Sequence, residues 1–245
     1  MKKLGIILPG NIGDIIICLP IAKWYADRGY QIYWPLYNFL YPNFIDAINY
    51  VNFISIPVDN CINTSLNTLM QLGCEILDLS FTSPYSWNNQ NTKDFLNQTD
   101  YSFDEFRYIL SKVPISEKWN LQINRNALRE RKLFDRVVTN INNYTVIQTN
   151  SSDVSVKVNL DLTQYTGQII DLLPITTSIF DWLVIIERAK NLVLVESCFT
   201  NLIDQLSIKN KNQFLILKPN YYRDMLKDGK RRRGFPVLLN NWQII

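Results

Sequence analysis

One carboxylate interrupts an apolar run close to the start of the chain. In "GNIGDIIICLP", residues 10–20, Asp14 follows two glycines and an asparagine and precedes three isoleucines. An aspartate at the mouth of a helix has two physical uses. Its oxygens can accept from the unpaired N–H groups of the first turn while its charge complements the helix dipole. The same oxygens can take a proton from a reacting hydroxyl. Spacing alone leaves both open. Gly10, Asn11 and Gly13 make up the loop before it, and glycine there lets the backbone turn tightly and approach a ligand. The pattern is not GxGxxG and no Walker lysine follows, so neither a dinucleotide site nor a P-loop is indicated.

Two further polar clusters follow apolar runs. In "VESCFTNLIDQL" a strand runs into Glu196, Ser197, Cys198, Phe199, Thr200 and Asn201, where a helix begins. Free N–H groups and hydroxyls at a helix start favour a phosphate or diphosphate; an ordinary serine cap has the same appearance. In "IQTNSSD", Gln148, Thr149, Asn150 and Ser151 could contact a sugar or a phosphate, or form a solvated turn. Lys157 follows and could neutralise a phosphate. Near the C-terminus "KDGKRRRG" gathers Lys227, Lys230, Arg231, Arg232 and Arg233. Such a run is a solvated face or a phosphate-contacting patch for a polyanion such as nucleic acid. Tyr221, Tyr222, Phe235 and Trp242 lie close enough in sequence to stack on bases.

Composition narrows the chemistry. The 245 residues contain no histidine, which removes Ser-His and Cys-His nucleophilic catalysis and most zinc chemistry. Any general base is then Asp, Glu, Lys, Tyr or Cys. The four cysteines, Cys18, Cys61, Cys74 and Cys198, form no CxxC pair. That suits a reducing cytoplasm rather than a disulfide framework or a zinc site. No apolar run is long enough to span a membrane, and "MKKLGIILPG" reads as a first strand rather than a signal peptide.

These residues need elements to place them. "KLGIIL", "YQIYWP" ending at Pro35, "VNFISIP" and "EILDLS" read as strands. Helices are expected between them: one through Pro20 to a cap at Gly29, others near 40–49 and 62–73. Residues 102–136 switch to charged amphipathic helices, with a linker expected at 115–126. "YTVIQT", "GQIIDLL", "NLVLVES" and "NQFLILK" then alternate with helices in "TTSIFDWLVIIERAK" and "FTNLIDQLS". This alternation specifies βαβ units and parallel sheets. It gives an α/β protein of two Rossmann-like domains, residues 1–120 and 121–245, with ligands expected at the carboxyl ends of both sheets, in a cleft between the domains.

"GNIGDIIICLPIAKWYADRGYQIYW" resembles the opening of the heptosyltransferase-like glycosyltransferases of family 9, which have the GT-B fold: Gly-Asp, a few apolar residues, Leu-Pro, then a helix. "SIFDWLVIIERAKNLVLVESCFTNLIDQLSI" resembles their C-terminal signature of helix, strand, Asp-Ser/Thr-Gly and a helix bearing a histidine. The resemblance implies an inverting, metal-independent transferase with a nucleotide-diphosphate sugar as co-substrate and no other cofactor. It implies that Asp14 is the general base, with the acceptor mainly on the N-terminal domain and the donor mainly on the C-terminal one. Glu196 and Cys198 stand where the family has Asp and Gly, and Asn201 stands near the place of the histidine. These departures point away from heptose and from a lipopolysaccharide acceptor. They also keep open a catalytically degenerate binding module of the same shape, and the basic run keeps open a polyanionic acceptor such as DNA.

Overall fold

Short runs of β-branched, leucine and aromatic residues become parallel strands, because such side chains pack on a pleated surface covered on both faces. A computed structural model describes residues 1–8, 10–80, 102–150, 161–210, 212–216, 237–238 and 242–245. The chain divides into two compact units. The first comprises described residues of Met1–Asn124 together with Val237, and the second those from Arg125 onward together with the segment Leu238–Ile245.

In the first unit, β1 (Lys2–Ile7), α1 (Ile12–Ala26), β2 (Tyr30–Tyr37), α2 (Tyr41–Phe44), β3 (Val51–Ile56), α3 (Cys61–Gln71) and β4 (Glu75–Asp78) follow one another. The sheet order is β3-β2-β1-β4, all parallel. The chain therefore winds from β1 to β3 in one direction and places β4 on the other side of β1. The carboxyl ends of β1 and β4 flank the topological switch point, where open α/β sheets bind ligands. Trp34, Phe44 and Phe53 form an aromatic cluster in this core, with ring centroids 6.1 and 5.9 Å apart.

Two local outcomes differ from the sequence expectation, and a third keeps to it. β2 runs past Pro35 to Tyr37, because beyond Tyr33 it is paired only with β3, so the missing N–H of Pro35 leaves no gap in a ladder to β1. Near 40–49 only residues 41–44 are helical, and hydrogen-bonded turns at Ala47 and Ile48 then fold back toward β3. α1 continues through Pro20, ends at Ala26, and is followed by Gly29 at φ +83°, a left-handed conformation suited to glycine.

α4 (Phe103–Leu110) and a 3₁₀ turn at Ile115–Trp119 complete the first unit. Pro20 supplies no N–H to the α1 ladder, and near this break the Tyr108 hydroxyl donates to the Ile17 carbonyl at 2.9 Å. Tyr25 in turn donates to the Ser111 carbonyl at 2.7 Å. These bonds fix α4 against α1. At the other end of α4, Asp104 and Lys118 form a buried ion pair at 2.6 Å. The pair grips the main chain of Val237 by both its groups: Lys118 Nζ donates to the carbonyl at 2.5 Å, and the Val237 N–H donates to Asp104 at 2.8 Å.

The second unit holds α5 (Ala127–Val137), β5 (Tyr144–Gln148), β6 (Gln168–Asp171), α6 (Leu183–Arg188), β7 (Asn191–Val195), α7 (Cys198–Gln205), β8 (Asn212–Ile216) and β9 (Gln243–Ile244). Its parallel sheet has the order β6-β5-β7-β8-β9. The switch point here lies between β5 and β7. The expected helix in 176–190 begins as a 3₁₀ turn at Ile179–Trp182, where the Ser178 side chain accepts from Phe180 N–H, and becomes α-helical only from Leu183. α5 is held by Arg129 to the largely buried Asp181 at 3.0 Å and by Arg125, which bridges Glu130 and Glu187.

Breaking a buried ion pair by removing one partner strands the other charge. Asp104→Ala is expected to lower unfolding stability by about 3–5 kcal/mol in a denaturant melt.

Candidate functional site

The Gly10–Asp14 loop leaves β1 at the switch point of the first unit. Asn11 is the residue before α1, and its N–H donates to Asp14 Oδ2 at 2.8 Å, the carboxylate half of a capping box. The helix-cap use of Asp14 is therefore realised. It is not the whole arrangement. Arg107, brought by α4 from 93 positions away, donates from Nη1 to Asp14 Oδ1 at 3.1 Å. Its side chain is 2% exposed, against 22% for Asp14. An ionised carboxylate has about four lone-pair positions, and each oxygen here has one described donor. The half-exposed carboxylate thus keeps acceptor capacity while its orientation is fixed from two sides.

Gly10 is needed for this geometry. A Cβ at that position would lie 2.6 Å from Asp14 Cβ and 2.7 Å from Oδ2. Gly13 lies in the first turn of α1, partly exposed. Cys18, one turn beyond Asp14 and fully buried, has its thiol pushed up to about 12 by burial, an effect that nearby Arg107 opposes. It therefore stays protonated beside the ion pair at neutral pH and is no nucleophile.

In the second unit the two remaining clusters meet at the β5/β7 switch point. Gln148 ends β5, and Ser197 caps α7 just after β7. The Ser197 hydroxyl donates to Gln148 Oε1 at 2.5 Å and accepts from Phe199 N–H at 3.2 Å. Thr149 and Asn150 follow β5, half-buried and exposed respectively. Glu196 N–H donates to the Ile216 carbonyl at 3.3 Å, which joins this loop to β8. Cys198 has its thiol raised to about 11 by burial.

Two expected donor residues are turned to the chain itself. Thr200 is fully buried and its hydroxyl donates to the Val195 carbonyl at 3.0 Å. Asn201 is buried, and its Nδ2 donates to the Ser197 carbonyl at 3.3 Å. Both side chains are buried and spend these donors on main-chain carbonyls of the same segment. Ser151, Lys157, Lys227, Lys230, Arg231, Arg232 and Arg233 lie outside the described residues. No cluster of three or more His, Cys, Asp or Glu suited to a metal ion occurs among the described residues. No described helix is long and apolar enough to cross a membrane.

Arg107 was not singled out by the sequence. The signal was present but weak: an arginine in the apolar side of "SFDEFRYIL", where an amphipathic helix would otherwise bury only hydrocarbon.

No protein-family model matches the chain, and no curated protein matches it. Solved structures do. A glycosyl transferase family 9 protein from Veillonella parvula DSM 2008 superposes with a TM-score of 0.58 at 10% identity, over 88% of this chain and 80% of that one. The ADP-heptose LPS heptosyltransferase II of E. coli superposes with a TM-score of 0.52 at 12% identity, over 100% of this chain and 92% of that one. At such identities the likeness establishes the fold: an α/β, GT-B-like architecture of two Rossmann-like units with parallel sheets.

Because the added methyl would meet Asp14 itself, Gly10→Ala is expected to cost about 1–3 kcal/mol of stability in a denaturant melt. Gly13→Ala, on the first helical turn, should change it by less than about 1 kcal/mol or raise it.

Proposed function

We propose that this protein is a glycosyltransferase that moves a sugar from a nucleotide-diphosphate donor to an acceptor hydroxyl, with inversion and without a metal ion or other cofactor. Support comes from the fold shared with family 9 glycosyl transferases. The observation that carries the reading is the Asp14 carboxylate, held by Arg107 and Asn11 at the switch point of the first unit.

In this mechanism the acceptor binds to the first unit and its hydroxyl proton passes to an Asp14 oxygen as the hydroxyl oxygen attacks the anomeric carbon. The bond to the diphosphate oxygen breaks and that oxygen takes the electron pair. In the second unit, the first-turn N–H dipoles of α7, at the Ser197 end, suit the charge of a diphosphate. Gln148, Thr149, Asn150 and Glu196 border the donor. Arg107 fixes the direction of the base, and the proton stays on Asp14 until solvent removes it. The free thiols of all four cysteines accord with action in a reducing compartment such as the cytoplasm.

One observation favours a second reading, a binding module of the same shape that has lost turnover. The hydroxyls of Ser197 and Thr200 are both engaged within the chain, which reduces the donors that α7 offers to a diphosphate.

Calorimetry with ADP-, UDP- and GDP-sugars separates the two. The transferase reading predicts that at least one binds, that Asp14→Asn binds it equally well, and that release of nucleoside diphosphate falls by about 10²–10⁴-fold in that variant. Unchanged turnover would reduce Asp14 to a helix cap, and no binding of any nucleotide sugar would favour the second reading.

A further inference from the structure

A small cavity lies at the carboxyl ends of β1, β2 and β3 in the first unit, partly open to solvent. Leu8, Leu36, Leu40 and Ile56 give it an apolar wall, and each is 5% exposed or less. Gly10, Tyr37 and Ser65 also line it, and Ser65, on α3, is buried. None of the described residues around it is charged. About 10 Å³ is open to the centre of a water-sized sphere. That is room for about one water or one methyl group.

Two contacts tie the cavity to its surroundings. Gly10 borders it and also touches the candidate base: a Cβ on Gly10 would meet Asp14 Oδ2 at 2.7 Å. Tyr37 is held by a hydrogen bond of 3.2 Å between its hydroxyl and the Cys61 Sγ. Its ring stacks on Phe39 with centroids 5.5 Å apart and planes 13° from parallel, and Phe39 is 58% exposed. The wall of the cavity thus continues into an exposed aromatic face.

These walls select by chemistry. A phosphate, carboxylate or ammonium group would lose its water here with no opposite charge on the walls to replace it. A methyl group meets aliphatic carbon from four side chains and gains by leaving water. An aromatic face beside such a hole suits the C–H face of a sugar ring. We propose that this cavity is a subsite for a methyl group carried by the acceptor sugar, in acetamido or 6-deoxy form, and that filling it brings a hydroxyl of the same sugar to Asp14. The proposal rests on the reading that the first unit receives the acceptor.

The test is saturation-transfer NMR on the full chain with glucose, N-acetylglucosamine and 6-deoxyglucose. At least one of the two methyl sugars is expected to bind about fourfold more tightly than glucose, or better, with the strongest saturation at its methyl protons. The one that does so identifies the source of the methyl group. Ser65→Thr, which adds a methyl to the wall, should bring that sugar down to the affinity of glucose. Leu40→Ala, which widens the cavity, should let the same sugar with an ethyl in place of the methyl bind at least as well as the methyl sugar. The proposal is overturned if no methyl sugar binds better than glucose, if the methyl protons receive no saturation, or if both variants, folded by circular dichroism, keep the wild-type preference. Should one variant not fold, the other and the wild-type comparison decide. Nucleotide-sugar binding without a methyl preference rejects the subsite alone. A methyl preference without any nucleotide-sugar binding rejects the transferase reading alone.

Discussion

The first unit is organised around one charge pair that its local sequence could not supply. Asp14 sits where β1 hands over to α1, and the loop provides it with an amide from Asn11 but no cation. The cation comes from α4, as Arg107, and it is almost fully buried. A buried guanidinium beside a half-exposed carboxylate is costly to desolvate and costlier to leave unpaired. The packing of α4 on α1 is therefore under a constraint, which the Tyr108–Ile17 and Tyr25–Ser111 bonds help to meet. The Asp104–Lys118 pair and the main chain of Val237 secure the opposite end of the same helix. A side chain held to this degree is suited to directing a proton, and less suited to following a mobile ligand.

Both units use the same topological device. Each has a parallel sheet that reverses its winding beside its first strand, and each puts its polar cluster at that reversal. The contents differ in charge. The first unit puts a carboxylate, Asp14, at the reversal. The second gathers neutral groups, Gln148 and the Ser197 cap, around a helix start whose dipole favours an anion. That division matches a reaction in which one partner surrenders a proton and the other a diphosphate.

Much of this was legible in the chain. The apolar runs that become β1, β3, β5, β7 and β8, and the polar residues that follow them, announce strands and the loops at their carboxyl ends. Asp14 and Ser197 could be found because a carboxylate or a hydroxyl at a strand-to-helix junction has a short menu of uses. What could not be read was set by long-range packing. Pro35 marks the end of a strand only if both neighbours pair with it, and here one does not. Thr200 looks like an anion ligand until the helix turns it inward to Val195. Arg107 has unremarkable sequence surroundings. Its role depends on α4 packing on α1, which is not encoded within a local window.

The central claim is that Asp14, aimed by Arg107, serves a single displacement at an anomeric carbon. Proton NMR of the first-formed glycoside, taken before any mutarotation or secondary reaction, tests it most directly. The account predicts an anomeric configuration opposite to that of the donor sugar. A product that keeps the donor's configuration would require a second displacement or a different trajectory, and would contradict it.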